Sequence, residues 1–232
     1  MPQVDGKNVL VFAPQYNTAG KKADATGAFQ PEAQAFARHH GVPKNQVVYV
    51  DNTLSKREMR QTVLGVVAAF RQGASGGKPP DAVAFFCHGQ GKRIQFGFDT
   101  TNVADLAKAM TGLVAPRVAL YACNTGKASD AEALAAFGGD GGFADALRDA
   151  LCQAGATECQ VDAHTTAGHT TMNPNVRRFQ GMGSPVGGVG GFYIVHSAQK
   201  GLWKKWRTAL RETNLRFDFP FMSVAEIHQA LV

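Results

Sequence analysis

The sequence predicts an α/β fold, a three-layer α/β/α sandwich with a mainly parallel sheet of about six strands. Short, continuously apolar runs alternate with helical segments over the first two thirds of the chain. Such runs are typical of strands buried on both faces, and helical crossovers between them produce a parallel sheet covered by helices on each side. The 232 residues, 44% of them hydrophobic and only 18% charged, suit one well-buried core. We therefore expect a single domain over residues 1–232.

The first third of the chain contains two predicted strand–helix pairs. Val9–Ala13 (VLVFA) is a short apolar run that ends at a proline, as expected for a buried strand. Pro31–His40 has proline at its start and glycine directly after its end, which is the usual asymmetry of helix termini. Gln46–Val50 (QVVYV) is the second predicted strand. Ser55–Arg71 begins with the capping-box pattern S-x-x-E and continues as an amphipathic helix.

The middle of the chain repeats this alternation. Ala82–Cys87 (AVAFFC) and Val118–Cys123 (VALYAC) are the third and fourth predicted strands. Between them, Lys92–Asp99 alternates like the arm of a small hairpin. Thr101–Gly112 is a predicted helix, capped by threonine or asparagine at its start.

The last part of the chain has wider spacing between its elements. A helical region is predicted from about Ala128 to Ala154, interrupted by the glycine-rich segment Gly138–Gly142. Cys159–Ala163 is the fifth predicted strand. Phe192–His196 is the sixth, after a glycine-rich tract. The chain ends in two predicted helices, Leu202–Glu212 and Ser223–Leu231.

Reactive residues follow the third and fourth strands. His88 comes directly after one strand, and Cys123 ends the other. If these strands are neighbours, they lie about 5 Å apart and both residues emerge at the carboxyl edge of the sheet, where active sites gather. A thiol next to an imidazole is the requirement for a base-assisted cysteine nucleophile. Gly89 lets the backbone approach a bound carbonyl, and the N–H groups of Gly89 and Cys123 are expected to form the oxyanion hole.

The two blocks AVAFFCHG and VALYAC also carry a family resemblance. In this order, each after an apolar strand, they resemble the His-Gly and Ala-Cys blocks of clan CD cysteine peptidases, which include caspases, metacaspases, legumain, gingipains, clostripain and the CHAT proteases. The resemblance spans roughly residues 8–211 and leaves residues 212–232 as a C-terminal helical tail. It implies a caspase-like fold and a cysteine endopeptidase that forms a thioester acyl-enzyme at Cys123. His88 would then be the general acid and base, no cofactor would be needed, and the partner would be a protein or peptide substrate.

A third segment, Ala163–Asn173 (AHTTAGHTTMN), resembles the caspase segment that leads into an extended wall of the substrate cleft. The expected wall pairs with the substrate backbone. Tyr121, just before the nucleophile, is expected to project into the first substrate pocket. Asp162 lies on the strand that leads to the wall and could face either the sheet or the pocket. The residues expected to bind substrate are therefore Tyr121, Asp162, Thr170, Thr171, Met172 and Asn173.

The sequence departs from the caspase pattern where caspases recognise an acidic side chain. Tyr121 stands where caspases have glutamine, Asn173 occupies the wall position where they have arginine, and no arginine follows the first strand closely. A buried acidic side chain without a partner is costly, so we do not expect aspartate at the P1 position of substrates. If Asp162 faces the pocket, a basic P1 residue is favoured; if not, a small or apolar one. Cleavage after aspartate would instead implicate Arg177 or Arg178.

Three other functions are compatible with parts of the sequence. His164 and His169, with His88 nearby, could hold zinc in a hydrolase, although the spacing is not H-E-x-x-H and no carboxylate lies between the two histidines. Gly73–Lys78 (GASGGK) is one residue shorter than a P-loop and precedes a strand instead of following one, which argues against phosphate binding. A catalytically weak, caspase-like interaction module stays open, although both dyad residues are present.

The charge, cysteine content and apolar runs of the sequence limit the expected binding partners and the expected cellular compartment. The formal net charge is +6, with local clusters at Arg177-Arg178 and Lys200–Arg211. Neither cluster forms a known nucleic-acid motif, so we expect a solvated basic face and no nucleic acid partner. The four cysteines form no C-x-x-C pair, and no apolar run approaches the ~18 residues of a membrane span. The N-terminus lacks the apolar region of a signal peptide, so we expect a cytoplasmic protein or one exported without a cleaved signal, with an activator or delivery partner not identified by the sequence.

Overall fold

A seven-stranded sheet forms the centre of the protein. The computed structural model describes residues 4–16, 27–74, 77–113, 115–127, 141–188 and 190–232. Its strands are β1 (Val9–Pro14), β2 (Val47–Val50), β3 (Ala82–Phe86), β4 (Gly89–Gln90), β5 (Arg93–Ile94), β6 (Arg117–Tyr121), β7 (Gln160–His164), β8 (Val176–Gln180) and β9 (Phe192–Tyr193). The sheet has the order β2-β1-β3-β6-β7-β8-β9, and β4 and β5 pair separately. The strands from β2 to β7 in this order are parallel, whereas β8 is antiparallel to both of its neighbours.

Helices connect the strands and cover the sheet. They are α1 (Phe29–His40), α2 (Lys56–Gly73), α3 (Val103–Ala109), α4 (Phe143–Gln153), α5 (Lys200–Glu212), α6 (Leu215–Asp218) and α7 (Val224–Ala230). The predicted capping box at the start of α2 is confirmed: the Ser55 hydroxyl accepts from the Glu58 N–H, and the Glu58 carboxylate accepts from the Ser55 N–H. The αL conformation of Gly41 ends α1, as its position after the helical pattern predicted.

Two hydrophobic cores lie on opposite faces of the sheet. Phe12 and Phe85 stack with ring centroids 5.3 Å apart in the first core, which α2, α3 and α4 cover. Phe86 and Tyr121 stack at 4.5 Å in the second, which α1, α5, α6 and α7 cover. Successive residues of a strand point to opposite faces, so each buried strand supplies both cores. This α/β architecture has helices on both faces of a mainly parallel sheet and is compatible with the predicted three-layer sandwich.

The sheet has one strand more than the sequence predicted. Each of the six predicted runs overlaps an observed strand, but β8 (VRRFQ) was interpreted as part of a solvated basic cluster. That interpretation is wrong, because Arg177 and Arg178 are 1% and 0% exposed. Arg178 forms a buried ion pair with Asp162 at 2.8 Å, and the Arg177 guanidinium lies 4.6 Å from the centre of the Tyr193 ring. Burial of both cations therefore depends on partners that are distant in sequence.

The C-terminal segment, expected as a tail, contributes to the second core. Leu215, Phe217, Phe219 and Ile227 are almost fully buried there. The guanidinium of Arg178 donates to the carbonyl oxygens of Phe219 and Met222, both at 2.7 Å. Apolar burial and a buried cation thus bind residues after 212 to the sheet.

The helical region predicted before β7 is observed in part. Within the predicted helical region from Ala128 to Ala154, α4 is observed, whereas residues 128–140, including most of Gly138–Gly142, lie outside the described residues.

Among the helices that the structure describes, none is both long enough and apolar enough to cross a membrane.

Candidate active site

His88 and Cys123 occupy equivalent positions at the carboxyl edge of the sheet. Strands β3 and β6 are direct neighbours, and Phe86 pairs with Tyr121 at their ends. His88 and Cys123 each lie two residues beyond this pair, and both line one cavity of about 240 Å³. The structure therefore brings the two predicted dyad residues to one site, as the strand-end argument required.

A tight turn after β6 holds Cys123. Asn124 has φ = 60°, and among the described residues it is the one non-glycine residue with a positive φ. The Thr125 hydroxyl donates to the Ala122 carbonyl oxygen at 2.9 Å, and the Gly126 N–H donates to the His164 carbonyl oxygen at 2.9 Å. A strained turn of this kind persists only where its surroundings determine it. Here it leaves the thiol of Cys123 half-buried, whereas the other three cysteines are buried.

Gly89 lies directly against the turn that carries Cys123. A Cβ atom at this position would be 2.5 Å from the Cys123 carbonyl oxygen, 2.7 Å from Thr125 Cγ2 and 2.9 Å from Ala122 Cβ. These distances exclude any side chain unless the backbone moves. Glycine is therefore required at position 89 for the two loops to touch. The sequence analysis expected glycine here for another reason, the approach of the backbone to a bound carbonyl.

The His88 imidazole packs against the first residue of α1. It is exposed, and its ring packs edge-to-face against Phe29 with centroids 4.9 Å apart and an interplanar angle of 90°. Gln95 holds the backbone of His88 with two hydrogen bonds. Its backbone N–H donates to the His88 carbonyl oxygen at 2.9 Å, and its side-chain oxygen accepts from the His88 N–H at 3.2 Å. Phe29 is the first residue of α1 and is itself buried. These contacts limit the positions that the imidazole can adopt.

The cavity beside Cys123 has an uncharged lining apart from histidine. Its wall contains no carboxylate, lysine or arginine among the residues that the structure describes. Tyr121 borders it as a buried part of the second core, and burial raises the pKa of its phenol well above the usual value. The Tyr121 hydroxyl donates to the Arg216 carbonyl oxygen at 2.9 Å, so this side chain is a fixed wall of the cavity. Other lining residues are Ala28, Phe29, Gly168, Thr170 and Asn173.

His164 forms a neutral part of the same cavity wall. It is 2% exposed, and burial lowers the pKa of its imidazole to about 4. Its Nδ1 atom is buried and has no hydrogen-bond partner among the described residues. At neutral pH this imidazole is uncharged, so it adds no net charge to the cavity wall.

The three histidines considered as zinc ligands border the cavity but do not converge. His88, His164 and His169 all line it. In the part of the chain that the structure describes, one group of potential ligand atoms lies close enough together to share a metal ion, and its members are His39, His40 and Asp218. The His39 Nε2 atom in that group is already 2.7 Å from Asp218 Oδ1. The cavity histidines therefore do not resemble a preformed zinc site.

Asp162 does not reach the cavity. It is 2% exposed, and its carboxylate accepts from Arg178 Nε at 2.8 Å and from Arg178 Nη2 at 3.1 Å. Gln160 donates to the same carboxylate at 2.6 Å. Burial raises the pKa of Asp162, and the neighbouring Arg178 opposes that shift. Of the two orientations that the sequence left open, Asp162 faces the sheet, and its inclusion among the substrate-binding residues is corrected here.

The expected extended wall at Thr170–Asn173 is also corrected, because Thr170–Met172 form a turn. Asn173 closes the loop: its side chain donates to the Thr166 carbonyl oxygen at 2.9 Å and accepts from the Asn175 N–H at 3.1 Å. Thr171 is fully buried, and its hydroxyl donates to the Glu32 carboxylate at 2.6 Å. Local hydrogen bonding therefore folds this segment back on itself.

The four residues of this segment have different positions relative to the cleft. Thr170 and Asn173 line the cavity at Cys123, and Met172 lines a second, neighbouring cavity. Thr171 faces α1. The Gly168 carbonyl oxygen of this loop lies 3.9 Å from the Cys123 Sγ atom.

Sequence reasoning missed two parts of this site. Phe29 has no signal apart from its place just before a helix that begins with proline, and its contact with His88 crosses 59 residues of chain. Gly168 carries a weak signal, since a glycine in AHTTAGHTT indicates a turn where an extended wall was expected. A Cβ at Gly168 would lie 3.2 Å from Asn173 Nδ2, so the turn is tightly packed.

Comparisons with known proteins found no match for this chain among protein-family models, curated proteins or solved structures.

Proposed function

We propose that this protein is a cysteine endopeptidase with a caspase-like fold. One observation carries the proposal: His88 and Cys123 lie at equivalent positions beyond two adjacent parallel strands and line one cavity. Either residue alone would be unremarkable, because buried cysteines and structural histidines are common at strand ends. Their pairing at a sheet edge, beside a cavity and a turn with positive φ, is the arrangement that nucleophilic catalysis needs.

In the proposed reaction, the Cys123 sulfur attacks the carbonyl carbon of the scissile peptide bond. The resulting oxyanion accepts hydrogen bonds from the backbone N–H groups of Gly89 and Cys123. His88 takes the thiol proton and gives it to the leaving amine, so the C–N bond breaks and a thioester remains. Water, deprotonated by His88, then attacks the thioester and releases the carboxylic acid and the free thiol.

The cavity chemistry supports an uncharged P1 residue. Its described lining contains neither a cation for an acidic side chain nor a carboxylate for a basic one. Arg178 and Asp162 neutralise each other within the sheet and do not line the cavity. A charged P1 side chain would therefore lose its hydration without gaining an ion pair. A volume of about 240 Å³ suits a small or apolar side chain, with His164 as an uncharged part of the wall.

Peptide cleavage and thiol reactivity together test this proposal. An internally quenched peptide library should be cleaved by the wild-type protein and not by Cys123→Ala, and His88→Ala should lose on the order of a hundredfold or more in rate. With a limiting alkylating agent, Cys123 should react before the other cysteines, and in His88→Ala that reaction should slow. Activity should survive strong zinc chelators.

Three results would contradict the proposal. Hydrolysis that persists at the wild-type rate in Cys123→Ala would exclude this nucleophile. Stoichiometric zinc in the purified protein, with activity lost on its removal, would favour a metallohydrolase. Alkylation of Cys123 that is unaffected by His88→Ala, with no peptide cleaved, would favour the interaction module.

A further inference from the structure

A second cavity continues the cleft away from Cys123. It has a volume of about 460 Å³ and shares Gly168, His169 and Asn173 with the cavity at the nucleophile. The two cavities therefore lie next to each other along the loop of residues 166–175.

Three residues of α5 form the far side of this second cavity. Trp203, Arg207 and Arg211 all line it. They are spaced at i, i+4 and i+8, which places them on one face of the helix. Although the sequence analysis assigned Lys200–Arg211 to a solvated basic face, this stripe of the helix faces the cleft.

The helix is held against the loop by a buried tryptophan. The Trp206 indole is fully buried and donates from Nε1 to the Pro174 carbonyl oxygen at 2.9 Å. Pro174 itself lines the second cavity. The neighbouring positions Trp203 and Arg207 are thereby presented to the cavity from a fixed backbone, which reduces the entropy lost when a ligand binds.

The charge of this cavity is uncompensated. Arg207 and Arg211 are exposed, and within the described residues neither guanidinium forms an ion pair. The described cavity lining contains no carboxylate. Like charges four residues apart on a helix repel each other. An anion between them would relieve this repulsion, and each guanidinium can bind a carboxylate with two parallel hydrogen bonds.

We propose that the second cavity is a substrate subsite that binds an acidic side chain, aspartate or glutamate, at a position away from the scissile bond. The inference rests on the proposed peptidase function. Arg207 and Arg211 bind the carboxylate, and Trp203 provides an apolar surface for the methylene groups beside it. Because the subsite shares three lining residues with the cavity at Cys123, the side chain that it binds belongs to the same peptide that is cleaved.

Matched peptides test the subsite. In an internally quenched series, glutamate or its uncharged analogue glutamine is placed at each position around the cleavage site in turn. The wild-type protein should prefer glutamate about tenfold in kcat/KM at one position other than P1. In the double variant Arg207→Gln/Arg211→Gln, the ratio at that position should fall towards one, while the P1 preference stays unchanged.

The control removes the same amount of charge from the same helix. Lys200→Gln/Lys204→Gln also removes two positive charges, but neither lysine lines the cavity. It should keep the glutamate preference. No glutamate preference at any position, a preference that survives the arginine variant, or an equal loss in both variants would each overturn the subsite.

A binding measurement separates this inference from the peptidase proposal. Fluorescently labelled glutamate and glutamine peptides are titrated with Cys123→Ala protein, with and without the two arginine substitutions, and anisotropy is recorded. If nothing is cleaved, the peptidase proposal fails, but tighter binding of a glutamate peptide that depends on the two arginines still supports the subsite. Equal binding of both peptide series overturns it.

Discussion

Gly89 lies so close to Cys123 that a Cβ atom at position 89 would be 2.5 Å from the Cys123 carbonyl oxygen. The backbone of the loop after one strand therefore lies directly against the turn after its neighbour. In the proposed mechanism these same two residues donate the oxyanion-hole N–H groups. The contact links a local sequence feature, His-Gly, to the position of a nucleophile 34 residues later in the chain.

We expect Gly89→Ala to lower kcat/KM by on the order of a hundredfold, because the methyl group must push the turn that carries Cys123 out of place. Steady-state kinetics with a cleavable peptide provide the measurement. Gly91→Ala is the control, since a Cβ at position 91 would meet no atom within 4 Å. Equal kinetics in the two variants would show that the contact does not position the nucleophile.

The P1 preference should be uncharged. A peptide-library profile is expected to favour small or apolar P1 residues and to select against aspartate, lysine and arginine, because a charged side chain has no partner in the cavity wall. Asp162→Asn should leave the profile unchanged, since Asp162 does not line the cavity. A profile dominated by lysine or arginine that disappears in Asp162→Asn would refute this assignment of the cavity.

Stability should fall as the pH is lowered, in part because of His164. Burial lowers the pKa of this imidazole from 6.5 to about 4 in the folded protein. Below pH 6.5 the unfolded chain therefore takes up a proton that the folded protein does not bind, so its contribution to stability is complete above pH 6.5 and is lost as the pH falls towards 4. The total change is about 3 kcal/mol.

Urea unfolding at pH 7 and pH 4.5 measures this contribution. The loss of stability between the two pH values should be smaller in His164→Asn than in the wild-type protein. Burial also lowers the pKa of His40, so part of the pH dependence should remain in the variant. An identical loss in both proteins would mean that His164 is protonated normally in the folded state.

The buried pair of Asp162 and Arg178 should be important for stability. The two side chains are 1% and 0% exposed, so Asp162→Ala leaves a buried guanidinium without its carboxylate. We expect the free energy of unfolding to fall by about 3 to 5 kcal/mol. Chemical denaturation monitored by tryptophan fluorescence provides the measurement.

Asp149→Ala is the matched control for this pair. Asp149 is 38% exposed and pairs with Arg148, which keeps Asp145 as a second partner. Its removal should reduce stability by at most about 1 kcal/mol. If both substitutions have this small effect, the buried pair contributes far less than its burial indicates.

The sequence by itself determined the elements that depend on local pattern. Continuous apolar runs marked β1, β3 and β6, because a strand buried on both faces is usually apolar on both. The capping box of α2 and the glycine after α1 marked helix ends, since their chemistry lies within four residues. The order of His88 and Cys123 on two such strands also predicted that they meet, because parallel neighbours end at the same edge.

Only the tertiary structure decided where the polar residues of the second half lie. Strand β8 was missed because Arg177 and Arg178 are buried through partners 15 or more residues away, which no local pattern records. The loop at Thr170–Asn173 is a turn because Asn173 bonds back to Thr166 and Thr171 reaches Glu32, 139 residues away. Apolar burial is a property of each residue and can be read from the sequence, whereas compensation of a buried charge or amide requires a particular partner. The chain brings those partners together only when it folds.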